Sequence, residues 1–435
     1  MSELIPVWFG TLRVGNVIVG EDGALGFEYT KTWIETPSAF PLSVGMPLGT
    51  AVYPREAISP WLANLLPEEG QLSLLTRSLG LNRTDALAIL KEIGDDTAGA
   101  LSFGIPSNQK EGYYTPLTEF YRINDPEIAL KKHFEDLQQR PFLVGEEGVR
   151  LSLAGGQKKS ILAVLDPDGN PVLRLPRDGD VLAIPHRGAP STVILKPDNP
   201  VLPGIAENET YCLHLARAVG IASAKAIVLP AGDRNAVCVL RYDRRTSRTG
   251  ALQRIHQEDF AQANGMPPER KYERGTLAGI NLETLLRTRK HLPPAGALSL
   301  LDQLIFNILI ANTDAHAKNY SLLLPVGAGP CLAPLYDVLT ALPWPIVAQY
   351  FAQNVAGKKR KPGDIAAHHW DAVAKAGGYR PADVRKRVKE LVHGIVVKRA
   401  SVTEAVACFP GSVGGYVEEV AELIKENALR IEGRL

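Results

Sequence analysis

The chain has 435 residues, 45% hydrophobic and 22% charged, with a formal charge of +1. This is an ordinary globular composition, enough for roughly two to three domain-sized units. The near-neutral balance excludes a globally basic nucleic-acid binder and leaves room for a local patch.

Met1-Ser2-Glu3-Leu4 runs straight into strand-like sequence, with no signal-peptide pattern. Asp302, Gln303 and Asn307 interrupt the longest apolar runs, so no membrane span is expected. Cys212, Cys238, Cys331 and Cys408 are scattered and form no CxxC pair. Free buried thiols in a reducing cytoplasm are expected, without a disulfide or zinc framework.

Residues 1–106 read as a separate α/β unit. Residues 7–15 and 26–29 read as strands joined through the turn Glu21-Asp22-Gly23. Residues 61–67 and 72–79 read as helical pieces broken at Pro67. A further helix over 84–93 is opened by an Asn82 or Thr84 cap and ended by Gly94. None of these pieces carries obvious chemistry, and a structural or partner-binding role is expected.

The polar stretch 107–115 (SNQKEGYYT) reads as a linker into a second unit, 107–242. After a helix over 125–139 comes LSLAGGQKKS, in which Ala154, Gly155, Gly156, Gln157 and Lys158 form a small-residue loop before a strand. Such a loop lets backbone N–H groups approach phosphate oxygens, and lysines add charge; plain turns also use Gly-Gly. Lys196 ends the strand 191–197, where a buried ammonium needs an anionic partner. Asn208-Glu209-Thr210 opens the next helix, so Glu209 could tether Lys196, as kinases tether their phosphate-binding lysine. A carboxylate favoured by the helix dipole is the simpler reading of Glu209. Strands over 224–229 and 236–240 follow, and Val239, Leu240, Arg241 and Tyr242 are placed at a hinge bordering adenine.

The third unit, 243–435, reads as mostly helical. Leu298, Leu301, Leu304, Ile305, Ile308 and Leu309 recur at helical spacing and deliver the loop Thr313-Asp314-Ala315-His316-Ala317-Lys318-Asn319. A hairpin around Val326-Gly327-Ala328-Gly329 follows, and then Asp337. Helix, polar loop, hairpin and second Asp are the order a phosphoryl-transfer site needs. Asp314 would orient an attacking hydroxyl, and Asn319 with Asp337 would hold Mg2+. A polar loop that merely caps a helix would use the same residue types. Further on, Gly357-Lys358-Lys359-Arg360-Lys361-Pro362-Gly363 is a basic loop: solvated surface, or a contact for nucleic acid or an acidic partner. His368-His369 reads as a surface or interface pair pointing in different directions, and 384–397 and 417–431 as amphipathic helices.

LSLAGGQKKS, VILKP, NETYCLHLA, VLRYDRR, IHQEDFAQANGMPPERKYE, ANTDAHAKN and PLYDV stand in order over nearly the whole chain, which therefore resembles the HipA family of serine/threonine kinases, toxins of bacterial toxin–antitoxin pairs. The resemblance implies an α+β, two-lobed, protein-kinase-like fold related to phosphoinositide kinases, with an extra N-terminal α/β subdomain and a mostly helical C-lobe. It implies ATP and Mg2+, with Lys196 on the phosphates, Asp314 as base, Asn319 and Asp337 on the metal, and His316 and Lys318 supporting the catalytic loop. Ser152 matches the serine that the family autophosphorylates. Leu240 stands where relatives often carry glutamate. The implied partners are a small helix-turn-helix antitoxin, HipB, operator DNA through it, and a protein substrate, glutamyl-tRNA synthetase in the best-known relatives. A non-catalytic module holding an antitoxin–DNA complex is the second reading, and a lipid or small-molecule kinase the third.

Overall fold

Alternating apolar residues fold the start of the chain into an antiparallel sheet. The structure, a computed structural model, describes residues 3–106, 111–155, 157–273 and 278–435; Ser107 to Lys110 of the expected linker lie outside them. Strands β1 (Glu3–Phe9), β2 (Leu12–Val19) and β3 (Leu25–Tyr29) lead into helices α1 (Lys31–Ile34), α2 (Arg55–Ala63), α3 (Glu69–Leu79) and α4 (Ala86–Ile93), then β4 (Leu101–Phe103). The sheet order is β3-β2-β1-β4. Its apolar face buries Val7, Val14, Val17 and Phe27 against Trp33, Trp61 and Leu90. Residues 7–15 are thus two strands: Phe9 pairs with Leu12 across a tight turn at Gly10. Helix α4 is capped by Asp85, whose carboxylate accepts the Ala88 N–H at 2.9 Å, and by neither Asn82 nor Thr84. Asp85 directly precedes the first helical residue, the geometry a cap requires.

The second sheet is built from β5 (Tyr113–Pro116), β6 (Ser160–Leu165), β7 (Pro171–Val172), β8 (Val181–His186), β9 (Val193–Pro197), β10 (Ala226–Ala231) and β11 (Arg234–Leu240). Its order is β10-β11-β9-β6-β8-β5, with β7 paired to β6. Helices α5 (Leu117–Tyr121), α6 (Pro126–Asp136) and α7 (Ile205–Ala218) accompany it. Helix α7 begins earlier than Asn208. Its N-cap is Gly204 at φ +77°, where a Cβ would stand 2.2 Å from the Tyr416 ring. Glu209 is therefore a buried residue inside the helix, not a carboxylate at its N-terminus.

The remainder carries helices α8 (Phe260–Ala263), α9 (Leu282–Arg287), α10 (Pro294–Leu309), α11 (Ala367–Gly377), α12 (Pro381–Ala407) and α13 (Gly414–Glu432). Two short sheets sit among them: β12 (Arg244–Thr246) with β13 (Leu252–Arg254), and β14 (His256–Asp259) with β15 (Ser321–Leu324) and β16 (Cys331–Leu332). Helix α10 buries Leu301, Leu304, Ile305, Ile308 and Leu309, whereas Leu298, near its start, is exposed. Helices α12 and α13 run longer than expected, since apolar burial continues to Val402 and Val406 and starts at Val417. The His368 and His369 ring centroids lie 3.8 Å apart at a 39° tilt; His368 is exposed, whereas His369 is buried and its Nδ1 accepts the Ala366 N–H. All four cysteines are free; Cys212 and Cys238 are buried, but Cys331 is half-buried and Cys408 exposed. No helix among the described residues is long and apolar enough to cross a membrane.

Glu258 on β14 is an isolated buried carboxyl. It is 1% exposed, accepts the Val44 N–H at 2.8 Å and lies beside Asp259. Burial, reinforced by the Asp259 charge, pushes it up to about 7. The folded state therefore keeps a proton that the unfolded state has lost, and stability falls as pH rises from about 4.5 to about 7. Glu258→Gln keeps an oxygen for Val44 and cannot ionise. It is expected to recover up to roughly 3 kcal/mol at pH 8 and little at pH 4, read from urea midpoints; equal gains at both pH values would refute the assignment.

Candidate active site

Lys196 is the most constrained cation of the cleft. It lies near the end of β9, between β11 and β6, and is 6% exposed. Its Nζ donates to Glu209 Oε1 and Oε2 of α7 at 2.8 and 3.0 Å and to Asp337 Oδ1 at 2.6 Å. Burial alone would strip its proton, but Asp337 and Glu209 outweigh burial and hold the ammonium charged. Reciprocally, Lys196 and then Lys159 hold Asp337 well below the usual carboxylate range against the effect of burial. Burial pushes the Glu209 carboxyl up, and the bidentate contact with Lys196 opposes that rise without cancelling it. Asp337 adopts φ +55°, a left-handed conformation uncommon outside glycine and typical of residues held for function.

Helix α10 delivers the loop 313–319. Its end is tied down where Asn427 of α13 donates to the Leu309 carbonyl at 2.8 Å. Beyond it, Asn312 Oδ1 accepts the Asp314 N–H at 3.1 Å, and Asn319 Nδ2 donates to the Asp314 carbonyl at 2.9 Å. Asp314 stays open at the cleft mouth. Desolvation at the cleft wall pushes its carboxyl up, to about 6; Asp337 adds to the rise, while the Tyr272 hydrogen bond opposes it. Solvent at the mouth tempers that rise. His316 is buried and kept neutral, at about 3, first by desolvation and then by the Lys271 charge.

The small-residue loop brings a different lysine from the expected one. Lys158 is exposed, whereas Lys159 is 7% exposed and its Nζ donates to the Ala154 carbonyl at 2.6 Å. Burial lowers Lys159 to about 8, against the attraction of Asp337. Gly155 takes φ +111°, and a Cβ there would stand 2.5 Å from the Lys159 amine, so only glycine lets that amine through. Gly156 lies outside the described residues. Gln157 is half-buried, and its carbonyl accepts from Gln71 at 2.8 Å. Ser152 is fully buried, and its Oγ donates to the Leu65 carbonyl at 2.9 Å.

The N-terminal unit enters the site directly, which local sequence did not signal. Lys318 donates to the Asn64 carbonyl and Oδ1 at 2.9 and 2.8 Å and to Asp259 at 3.0 Å, so it braces the loop and does not face the cleft. Glu68 pairs with Lys271, and the Tyr272 hydroxyl donates to Asp314 Oδ1. The stretch PPERKYE, whose spacing matches no catalytic pattern, supplies both Lys271 and Tyr272.

At the expected hinge, Val239 packs into the core with α7, and Leu240 lies against the core beneath α6. Tyr242 sits 5.4 Å from the Tyr336 ring. Arg241 does not reach the cleft: it is 2% exposed and donates to Asp243, Ser191 and Thr97. In the basic loop, Lys358, Lys359 and Lys361 are exposed, and Arg360 is half-buried with its Nε donating to Val355.

The donor set suits a magnesium nucleotide. Among the described residues, no three His, Cys, Asp or Glu side chains gather into a metal site by themselves. Mg2+ takes few protein oxygens and fills its octahedron with phosphate and water. Asp337, whose Oδ1 accepts from Lys196, and Asn319, whose Nδ2 donates to the Asp314 carbonyl, could each offer a remaining oxygen to such an ion. His316 Nδ1 and Gln157 Nε2 are buried polar atoms without a hydrogen-bond partner among the described residues, as expected of groups that meet a polar ligand.

The chain matches the HipA N-terminal domain over residues 5–104 and the HipA-like C-terminal domain over residues 151–399. It is 35% identical over 403 residues to the putative kinase Y4mE of Sinorhizobium fredii, covering 92% of each. It is 31% identical over 349 residues to the serine/threonine-protein kinase toxin HipA of Shewanella oneidensis, covering 76% of this chain and 74% of that protein. A solved chain of the Shewanella oneidensis MR-1 complex of HipA, HipB and operator DNA superposes with a TM-score of 0.78 at 26% identity, over 99% of this chain and 97% of that one. The fold is α+β and kinase-like.

Removing one anion from the Lys196 cluster tests its weight. Glu209→Ala leaves a buried ammonium with Asp337 alone and is expected to cost about 3 kcal/mol, seen as a lower urea midpoint with an unchanged slope. A loss below about 1 kcal/mol would show that Asp337 suffices.

Proposed function

The chain belongs to the HipA family of serine/threonine kinases, and from that premise we propose that it transfers the γ-phosphate of Mg-ATP to a serine or threonine of a protein. The observation that carries this reading is Lys196, buried and bonded at once to Glu209 and Asp337, facing a loop that presents Asp314 and Asn319. Lys196 and Lys159 would meet the phosphates, backbone of the 154–158 loop would cradle them, and backbone at 239–242 would border adenine. Asn319 and Asp337 would hold Mg2+, which when bound neutralises charge on the phosphate oxygens. Asp314 would orient the acceptor hydroxyl and take its proton. His316 and Lys318 would fix the loop geometry.

Ser152 is the proposed autophosphorylation site. It is buried against Leu65, so it must leave that pocket to react, and the roughly two negative charges of a phosphate could not return to it. Modification would thus hold the loop away from the nucleotide and switch the enzyme off. Incubation with Mg-ATP, followed by intact mass and peptide mapping, tests both steps, with glutamyl-tRNA synthetase as one protein acceptor. The expected outcome is one phosphate at Ser152 in the wild type and none in Asp314→Asn. Ser152→Ala should keep its activity over time while the wild type loses it. No phosphate on any protein from an unmodified starting sample would sink the kinase reading.

A second role rests on the similarity to the Shewanella HipA–HipB–operator DNA complex. We propose that this chain also binds a small HipB-like helix-turn-helix antitoxin and, through it, operator DNA. Lys358, Lys359 and Lys361 are exposed and would approach phosphates, Lys361 by leaving its place 5.3 Å over the Tyr350 ring. Replacing the three with alanine is expected to flatten the dependence of log K on log salt by about 0.9 per lost contact; an unchanged slope for the antitoxin complex would dismiss them.

A further inference from the structure

Among the described residues, the hydroxyl that engages the Asp314 carboxylate belongs to Tyr272, not to Ser152, which is turned toward Leu65. The Tyr272 ring stands edge-on to the buried His316 ring, with centroids 4.9 Å apart at 85°. Its two neighbours are fastened to different parts of the molecule. Lys271 pairs with Glu68 of the N-terminal unit, its carbonyl accepts the Ala317 N–H at 3.2 Å, and its ammonium lies 5.3 Å from the Tyr272 ring centre. The Glu273 carboxylate holds Asn354 through its backbone N–H at 2.7 Å and its side-chain amide at 2.8 Å. The backbone under Tyr272 is thus fixed on both sides, while the half-exposed phenol donates to Asp314. Rotation about χ1 would release Asp314 without breaking either anchor, and such rotations are fast for exposed side chains.

We propose that Tyr272 is a placeholder in the acceptor site: its hydroxyl takes the position on Asp314 that the serine or threonine hydroxyl of the substrate occupies during transfer. This inference rests on the kinase reading. In transfer, the acceptor oxygen bonds to the γ-phosphorus as the bond from that phosphorus to the β,γ-bridging oxygen breaks. ADP leaves with the electron pair, and the acceptor's proton passes to Asp314. If water stands in the acceptor's place, the same steps yield inorganic phosphate, and ATP is wasted. With the phenol donating to Asp314, neither water nor a stray hydroxyl is oriented there. A cognate acceptor, positioned by the rest of its protein, displaces the phenol and inherits the base.

The placeholder predicts a gain on removal, which a residue that assists catalysis or supports the fold does not. Tyr272→Phe keeps the ring and its edge contact with His316 and deletes the hydroxyl. The measurement uses the full chain with Mg-ATP and no acceptor, following ADP and phosphate release, together with the affinity for a fluorescent ATP analogue. The hydroxyl's bond to a charged group is lost, so kcat for hydrolysis is expected to rise on the order of ten- to hundredfold. KM for ATP and analogue affinity should stay constant, and Tyr272→Phe,Asp314→Asn should lose the gain. Tyr272→Leu serves as the second variant and should rise likewise if Tyr272→Phe fails to fold. Hydrolysis that is unchanged or lower, with analogue affinity retained, overturns the placeholder and leaves the kinase reading standing. A wild type that binds no analogue overturns the kinase reading, and the placeholder falls with it.

Discussion

The molecule depends on one shared carboxylate. Asp96, 1% exposed, accepts Arg244 at 2.6 Å, Arg254 at 3.0 Å and the Ser191 N–H and hydroxyl at 3.1 and 2.5 Å. Arg241 lies 3.6 Å away and is paired with Asp243, which also accepts the Gly99 N–H at 2.9 Å. Burial would raise the Asp96 carboxyl, yet Arg244, Arg254 and Arg241 hold it well below the usual range. Burying five charges is tolerable only when each is both paired and hydrogen-bonded. Ser191 stands just before β9, and Arg241, Asp243 and Arg244 just after β11, the strands that position Lys196, so the N-terminal unit helps set where Lys196 lies.

A second contact line reinforces this. From the end of α2 into the first turn of α3, the chain from Asn64 to Gln71 touches the 313–319 loop through Lys318 and the small-residue loop through Ser152 and Gln157. It also reaches the acceptor side through Lys271. The same short segment therefore spans both lobes of the cleft. In a kinase with two lobes alone, the phosphate-binding loop and the catalytic loop move relative to each other; here a third body is bonded to each. The first unit, which carries no catalytic pattern of its own, is part of the site's geometry.

Lys196, Asp314, Asn319 and Asp337 were legible because each sits in a local pattern: a lysine at a strand end, a polar loop after a long amphipathic helix, an aspartate after a hairpin. Residues whose role arises from long-range contact were not legible. Asn64 and Glu68 act on partners about two hundred residues or more away, and nothing in their neighbourhood marks them. Choosing Lys158 over Lys159 was a question of facing, which the left-handed turn at Gly155 decides. Arg241 was placed at the hinge through its backbone, and nothing local marked its guanidinium as a member of the Asp96 cluster. Helix ends shifted for local reasons: a glycine cap under Tyr416 moved α7 upstream, and continued apolar burial lengthened α12.

The Asp96 cluster also dictates an order of assembly. The four strands of the first sheet lie within the first 103 residues and can pair as soon as they emerge from the ribosome. Asp96 is then already made, but its guanidinium partners are not. At synthesis rates of roughly 5–20 residues per second, they follow on the order of ten seconds later. Until then the finished sheet presents an unpaired carboxylate that favours water. Only when Arg241, Arg244 and Arg254 arrive can that edge be buried and the β9 lysine be seated. The catalytic cleft is thus among the last parts to form, and an unfinished chain has no means of phosphorylating anything.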